Sequence, residues 1–117
     1  MGDNSILEDI RALLLADEDS TEFDTDLIVH INSAFAVLSQ LGAGPSDGFY
    51  IEDESEEWND FTEDPVLQGM ARMFVVLSVR LVFDSPANSF TQETLKQQIE
   101  EYKWRIAIMA DSSNKEE

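Results

Sequence analysis

The sequence contains no cysteine, so disulfides, thiolate metal sites and cysteine nucleophiles are excluded. It has one histidine, His30, which excludes any site built on two imidazoles. Bases are scarce: seven Lys and Arg stand against 25 Asp and Glu, a formal net charge of −18. A nucleic-acid binder needs a basic footprint to displace counterions from phosphate, and this chain lacks one. The same balance opposes docking on an anionic bilayer. No uncharged apolar run approaches the ~20 residues of a membrane span. The nearest stretch, 66–83, is interrupted by Arg72 and Arg80. The opening residues Met1 to Ser5 are acidic and lead into a polar-patterned segment, unlike a secretory signal. A soluble, intracellular chain is expected.

What is present suits one small globule. The chain has 117 residues, 43% of them hydrophobic, which is one domain's worth with a buildable core. A single domain is expected over 1–110, followed by a disordered polar tail over 111–117. The charge is unevenly placed. Residues 1–71 carry 18 acids and one base, Arg11, whereas residues 72–117 carry seven acids and six bases. One half is a strong anion and the other is nearly neutral.

Periodicity predicts four helices. Ser5 and Glu8 form a capping-box pattern before Ile6, Ile10, Leu13 and Leu14, which predicts a helix over 5–15. Asp24 is the expected N-cap of a second helix over 25–41, with an apolar stripe of Leu27, Ile31, Ala34, Phe35, Leu38 and Leu41 and a terminating Gly42. Asp64 and Pro65 open a third helix over 65–83 that is apolar on nearly every face, as a central helix would be. Asp84-Ser85-Pro86 should stop it. A fourth helix should start at Ser89 or Thr91 and run to about Ala110. Its seam is Leu95, Ile99, Tyr102, Ile106 and Met109, flanked by Lys96–Glu100 and Glu101–Arg105 pairs. The segment 42–64 is rich in Gly and acids and predicts a long irregular loop, mobile in the free chain and partly docked through its aromatics. The expected fold is therefore an all-α small bundle of about four helices, with one long acidic irregular loop between helices two and three.

Candidate chemistry is thin. An EF-hand loop begun at Asp17 would need Gly where Glu22 stands, and one begun at Asp53 would need an acid where Ser55 stands. Carboxylate pairs are uninformative among so many acids. No nucleophile elbow, Walker loop or dinucleotide-binding glycine pattern occurs. No catalytic, cofactor or metal residue is expected, and the chain reads as a non-enzyme. His30 sits at the edge of its helix's apolar stripe, as a boundary or interface residue. Trp104 and Ile108 lie off the fourth helix's seam, either widening the core face or forming an apolar ridge for another subunit. Trp58 and Phe61 carry the same two readings. Arg72 and Arg80, on an apolar helix, need carboxylate partners if buried, from the acidic loop or from a neighbouring copy.

Several segments taken together carry a resemblance. They are Phe23-Asp-Thr-Asp-Leu-Ile-Val-His-Ile-Asn32, Leu41-Gly-Ala-Gly-Pro45, Gly48-Phe-Tyr-Ile-Glu-Asp53, Glu57-Trp-Asn-Asp-Phe61 and Val79-Arg-Leu-Val-Phe-Asp-Ser-Pro86. In this order, over roughly residues 5–110, the chain resembles the small head–tail connector (adaptor, or head-completion) proteins of long-tailed bacteriophages and prophages. The resemblance implies an all-α virion protein without catalytic residues. It implies a ring of about twelve copies beneath the portal, formed alone or only when docked, which extends the DNA channel. Its partners would be further copies, the portal and the next connector or tail-completion protein. DNA would pass through unbound, and no membrane would be involved. The place would be the head–tail junction of the virion, and the host cytoplasm during assembly.

On that footing Arg72, Arg80, Lys103, Trp104, Arg105, Ile108, Trp58 and Phe61 are expected at subunit or partner interfaces. Glu52, Asp53, Glu54, Glu56 and Glu57 would form an acidic channel or interface loop. The density of that acidic run departs from what the family would fix, and leaves open whether it faces the channel or the periphery. The other reading of the charge is an acidic DNA mimic that inhibits a nucleic-acid-binding protein. It would need carboxylates spread at phosphate-like spacing, whereas here they crowd into a loop and the first half.

Overall fold

A computed structural model describes residues 5–15, 21–83 and 87–115, with 112–115 described by backbone alone. The described residues form helices and no strand: α1 (Ile6–Leu14), α2 (Asp24–Gln40), α3 (Trp58–Phe61), α4 (Pro65–Phe83) and α5 (Ser89–Lys115). The fold class is all-α, with a short fifth helix, α3, inside the segment expected to be irregular. The expected stop at 84–86 and most of the polar break after α1 lie outside the described residues.

Helix ends follow their local chemistry, with two corrections. Ser5 caps α1 by accepting the Glu8 backbone N–H at 3.4 Å, and its own hydroxyl donates to the Glu54 carbonyl at 2.8 Å. Asp24 is not a cap. It is the first residue of α2, Phe23 takes the cap position without a side-chain bond, and the Asp24 carboxylate turns to Arg11 instead. A buried guanidinium outbids the backbone donors for that carboxylate. At the other end of α2, Gly42 adopts φ 90°. The Ala43 and Gly42 N–H groups then reach the Leu38 and Ser39 carbonyls, both at 3.0 Å, which closes a Schellman motif. Asp64 caps α4 as expected, accepting from Val66 and Leu67. Asn88 does the same for α5, accepting from Phe90 and Thr91. The second correction concerns α5, which runs to Lys115 rather than ending near Ala110.

Helix α4 is the hub: α1, α2, α3 and α5 all pack on it. By length and composition α4 could cross a bilayer. Here it organises a slab with extents of 44 × 36 × 20 Å. A slab about two helices thick cannot cover a central helix on every side. That is why α4 buries Ala71, Phe74, Val75 and Val79 yet leaves Val66 61% exposed, although its sequence is apolar all round. Gly69 and Arg80 share this uncovered face. Helices α2 and α5 both run along α4 and meet each other at most in passing. The core gathers around Phe35, whose ring lies 4.9 Å from Phe49, 5.2 Å from Phe61 and 6.0 Å from Trp58. Each such aromatic pair adds about 1 kcal/mol beyond area burial.

Candidate functional site

The acidic segment is a built turn. Asn32, on α2, accepts the Ile51 N–H at 2.8 Å and donates to the Ile51 carbonyl at 2.9 Å, so one side chain imitates a neighbouring strand. Ile51 is buried beneath it. The carboxylates that follow serve as acceptors for their own backbone. Glu56 accepts from the Glu52 and Asp53 N–H groups. Asp53 accepts from the Ser55 N–H at 2.8 Å and the Ser55 hydroxyl at 2.6 Å. The hydrogen bonds from Ser55 hold the Asp53 carboxyl below its ordinary pKa. Glu57 and Asp60 cap α3 reciprocally. The segment expected to be irregular and partly docked holds the short helix α3 and packs Ile51, Trp58 and Phe61 into the core.

Two internal cations fasten this turn and α1 to the body. Arg11 is only 5% exposed. It donates to both Asp24 oxygens at 3.2 and 2.8 Å and to Glu54 at 3.2 Å, tying α1, α2 and the acidic turn together. Burial works against its charge, but the hydrogen bonds to the two carboxylates outweigh it and its pKa is raised. Arg72, on α4, grips both oxygens of Asp9 on α1 at 2.6 and 2.9 Å. The indole N–H of Trp58 donates to the same Asp9 at 2.9 Å. The hydrogen bonds to Asp9 raise the Arg72 pKa.

These contacts sort the expected interface residues. Trp58 and Phe61 are each 3% exposed and belong to the core around Phe35, so neither offers a surface. Their spacing on a single short helical turn looks the same whether it faces inward or outward, which is why the sequence left both readings standing. Arg72 is spent inside the chain, on α1 rather than on the acidic loop. Arg80 is exposed and has no carboxylate partner among the described residues. Lys103 is half-buried and likewise unpaired. Arg105 pairs with Glu101 at 2.7 Å and lies over the Tyr102 ring at 5.9 Å. Lys96 pairs with Glu93 at 3.6 Å rather than with Glu100. His30 is half-buried on α2.

Trp104 is 65% exposed and Ile108 is 46% exposed. They project from the side of α5 away from its buried seam of Leu95 and Ile106. Phe90, five turns before Ile108, lies on the same outer side and is exposed as well. Both side chains are exposed in the single chain, so neither widens the core face. Glu52, Asp53, Glu54 and Glu57 are exposed and Glu56 is half-buried. Glu8, Asp53, Glu54 and Ser55 border an open notch of about 330 Å³ between α1 and the turn.

Sequence reasoning missed Arg11 as the central clamp. The signal was there: Leu7, Ile10, Arg11 and Leu14 share the apolar face of α1, so the single base of the acidic half lies on a buried stripe.

What the arrangement offers is surface chemistry: an anionic turn held rigidly on one side of the slab and an apolar ridge on another. No curated protein matches the sequence and no solved structure matches the fold. A family model described as "Phage connector protein" matches residues 6–113, nearly the whole chain. The chain belongs to the phage connector protein family.

Proposed function

We propose that the chain is a ring-forming adaptor between the portal vertex of the capsid and the tail, through which DNA passes. The observation that carries this reading is the family match over 6–113. Membership gives a structural component of the head–tail junction that meets other phage head and tail proteins, in a family that is typically non-enzymatic. The ring, its copy number and the channel are the further step. The net charge of −18 supports it, because an anionic wall lets phosphates slide past without sticking. A closed ring also needs two different patches on each copy, which suits a chain that is strongly acidic in one half and nearly neutral in the other. The DNA-mimic reading gains no support: the carboxylates of Asp53, Glu56 and Asp60 are engaged by backbone N–H groups of their own turn.

Native mass spectrometry over a concentration series, alone and with the portal of the same phage, tests the proposal. The expected result is a closed species of about twelve copies, free or on the portal. A chain that remains single under both conditions contradicts it.

A further inference from the structure

We propose that the uncovered face of α4 receives the outer face of α5 from a second copy of this chain, in one antiparallel register that seats Trp104 over Gly69 and brings Glu93 to Arg80. The inference rests on the ring reading and adds to it which faces meet.

Two unpartnered stripes support it. On α4, Val66, Gly69, Met73, Val76 and Arg80 recur at three- and four-residue spacing, outside the sector that buries Ala71, Phe74, Val75 and Val79. Val66, Gly69 and Arg80 are exposed, and Met73 and Val76 are half-buried. On α5, Phe90, Glu93, Gln97, Glu101, Trp104 and Ile108 recur in the same way, all exposed, on the side away from Leu95 and Ile106. Single exposed apolar residues are ordinary, whereas apolar residues repeated along a whole helix face mark an interface.

The stripes match in shape and in register. Gly69 is the position on the α4 stripe without a side chain, and nothing lies within 4 Å of the place a Cβ would take. An indole laid there reaches the backbone without displacing a neighbour, a large residue set into a gap between ridges. Arg80 stands eleven positions after Gly69, and Glu93 eleven positions before Trp104. With the indole on Gly69, antiparallel helices therefore put Glu93 beside Arg80, Phe90 beside Phe83 and Ile108 beside Val66. Glu101 falls beside Met73 and keeps its own partner, Arg105 at 2.7 Å.

Charge selects this pairing over its alternatives. Arg80 has no carboxylate partner among the described residues, and no acid lies on its stripe. Glu93 holds Lys96 only at 3.6 Å, on the surface. Two α5 faces together would set Glu93, Glu100, Glu101 and Asp111 against their own copies. Two α4 faces together would offer Arg80 no carboxylate from either stripe. The mixed pairing relieves the acids of α5 and supplies Arg80.

The register also favours closure. Within one chain α4 ends at Phe83 and α5 begins at Ser89, so Phe83 and Phe90 stand at about the same level of the helical pair. Between copies the same two positions lie side by side. Neighbours then sit at one height with no step along the helix axis, and a head-to-tail contact without a step closes into a ring rather than winding into a filament.

A charge swap tests the pairing by native mass spectrometry at high concentration and on the portal. Arg80→Glu and Glu93→Arg each keep the native helical spectrum, because both side chains are exposed. Each alone should lose assembled species by at least about tenfold. R80E/E93R, which restores the wild-type net charge and the opposite signs, should recover them. In a second arm, Gly69→Leu fills the seat without disturbing the fold, and Trp104→Glu removes the anchor. Each should fail to assemble alone, and the two mixed should join into a two-copy complex and stop there. Single variants that assemble like wild type, a swap that restores nothing, or mixed variants that stay single overturn the face assignment and leave the connector reading in place. Wild-type copies that stay single even with portal overturn both.

Discussion

Asp9 on α1 binds Arg72 on α4 through both carboxylate oxygens, at 2.6 and 2.9 Å, and the same carboxylate accepts the Trp58 indole N–H. One acid thus joins the first helix, the hub helix and the short helix of the acidic segment. Asp9→Ala leaves an indole N–H in a buried ring and a guanidinium without partners. It should cost about 2 kcal/mol in chemical denaturation. Asp9→Asn keeps an acceptor for Trp58 and should cost less. Equal losses would mean that the ion pair and the indole bond contribute nothing separable.

Arg11→Ala should be more damaging, by about 3 kcal/mol, because it strands Asp24 and leaves a void on the buried face of α1. Its signature is local as well as global. The turn at 52–57 should become the preferred site of limited proteolysis, since Glu54 loses its anchor. Arg11→Met, which refills the volume without the charge, should recover part of the stability and none of the protection at the turn.

Two glycines should respond in opposite directions. Gly44 has φ +84°, and a Cβ there would run into the Phe61 ring. Gly44→Ala should destabilise by about 2 kcal/mol or more, combining left-handed backbone strain with displaced core packing. Gly69 lies in α4 with open space around its Cα. Gly69→Ala should therefore stabilise the isolated chain by about 1 kcal/mol. Thermal melts of the two variants beside wild type check both signs.

Asp53 provides the pH test. Its folded pKa lies below the unfolded one, so whatever it contributes to the turn is present above the unfolded value. That contribution is lost as pH falls through the folded value. Carbon-detected NMR titration should find the Asp53 carboxyl ionised at lower pH than an ordinary aspartate. Ser55→Ala removes the hydroxyl donor and should move it back toward the ordinary value.

The helices were legible because each is written in short-range terms. The apolar spacing of α2 and α5, Gly42 past the end of α2 and Asp64-Pro65 at the start of α4 all act within a turn or two. What the sequence hid is what depends on distant partners. Asp24 reads as a cap until Arg11, 13 residues away, claims its carboxylate. Trp58 and Phe61 read equally well as ridge or core, until Phe35 supplies the surface that buries them. The acidic run reads as self-repelling, because nothing local says that Glu56 and Asp53 will cap their own backbone. The outward placement of Trp104 and Ile108 was one of two open readings, and it was decided only by which side of α5 meets α4.

The most direct measurement is a cryo-electron-microscopy reconstruction of the head–tail junction in particles of the phage that encodes this chain. The connector assignment predicts a ring of density next to the portal into which the slab fits. Purified, infectious particles that lack the chain at this junction would contradict it.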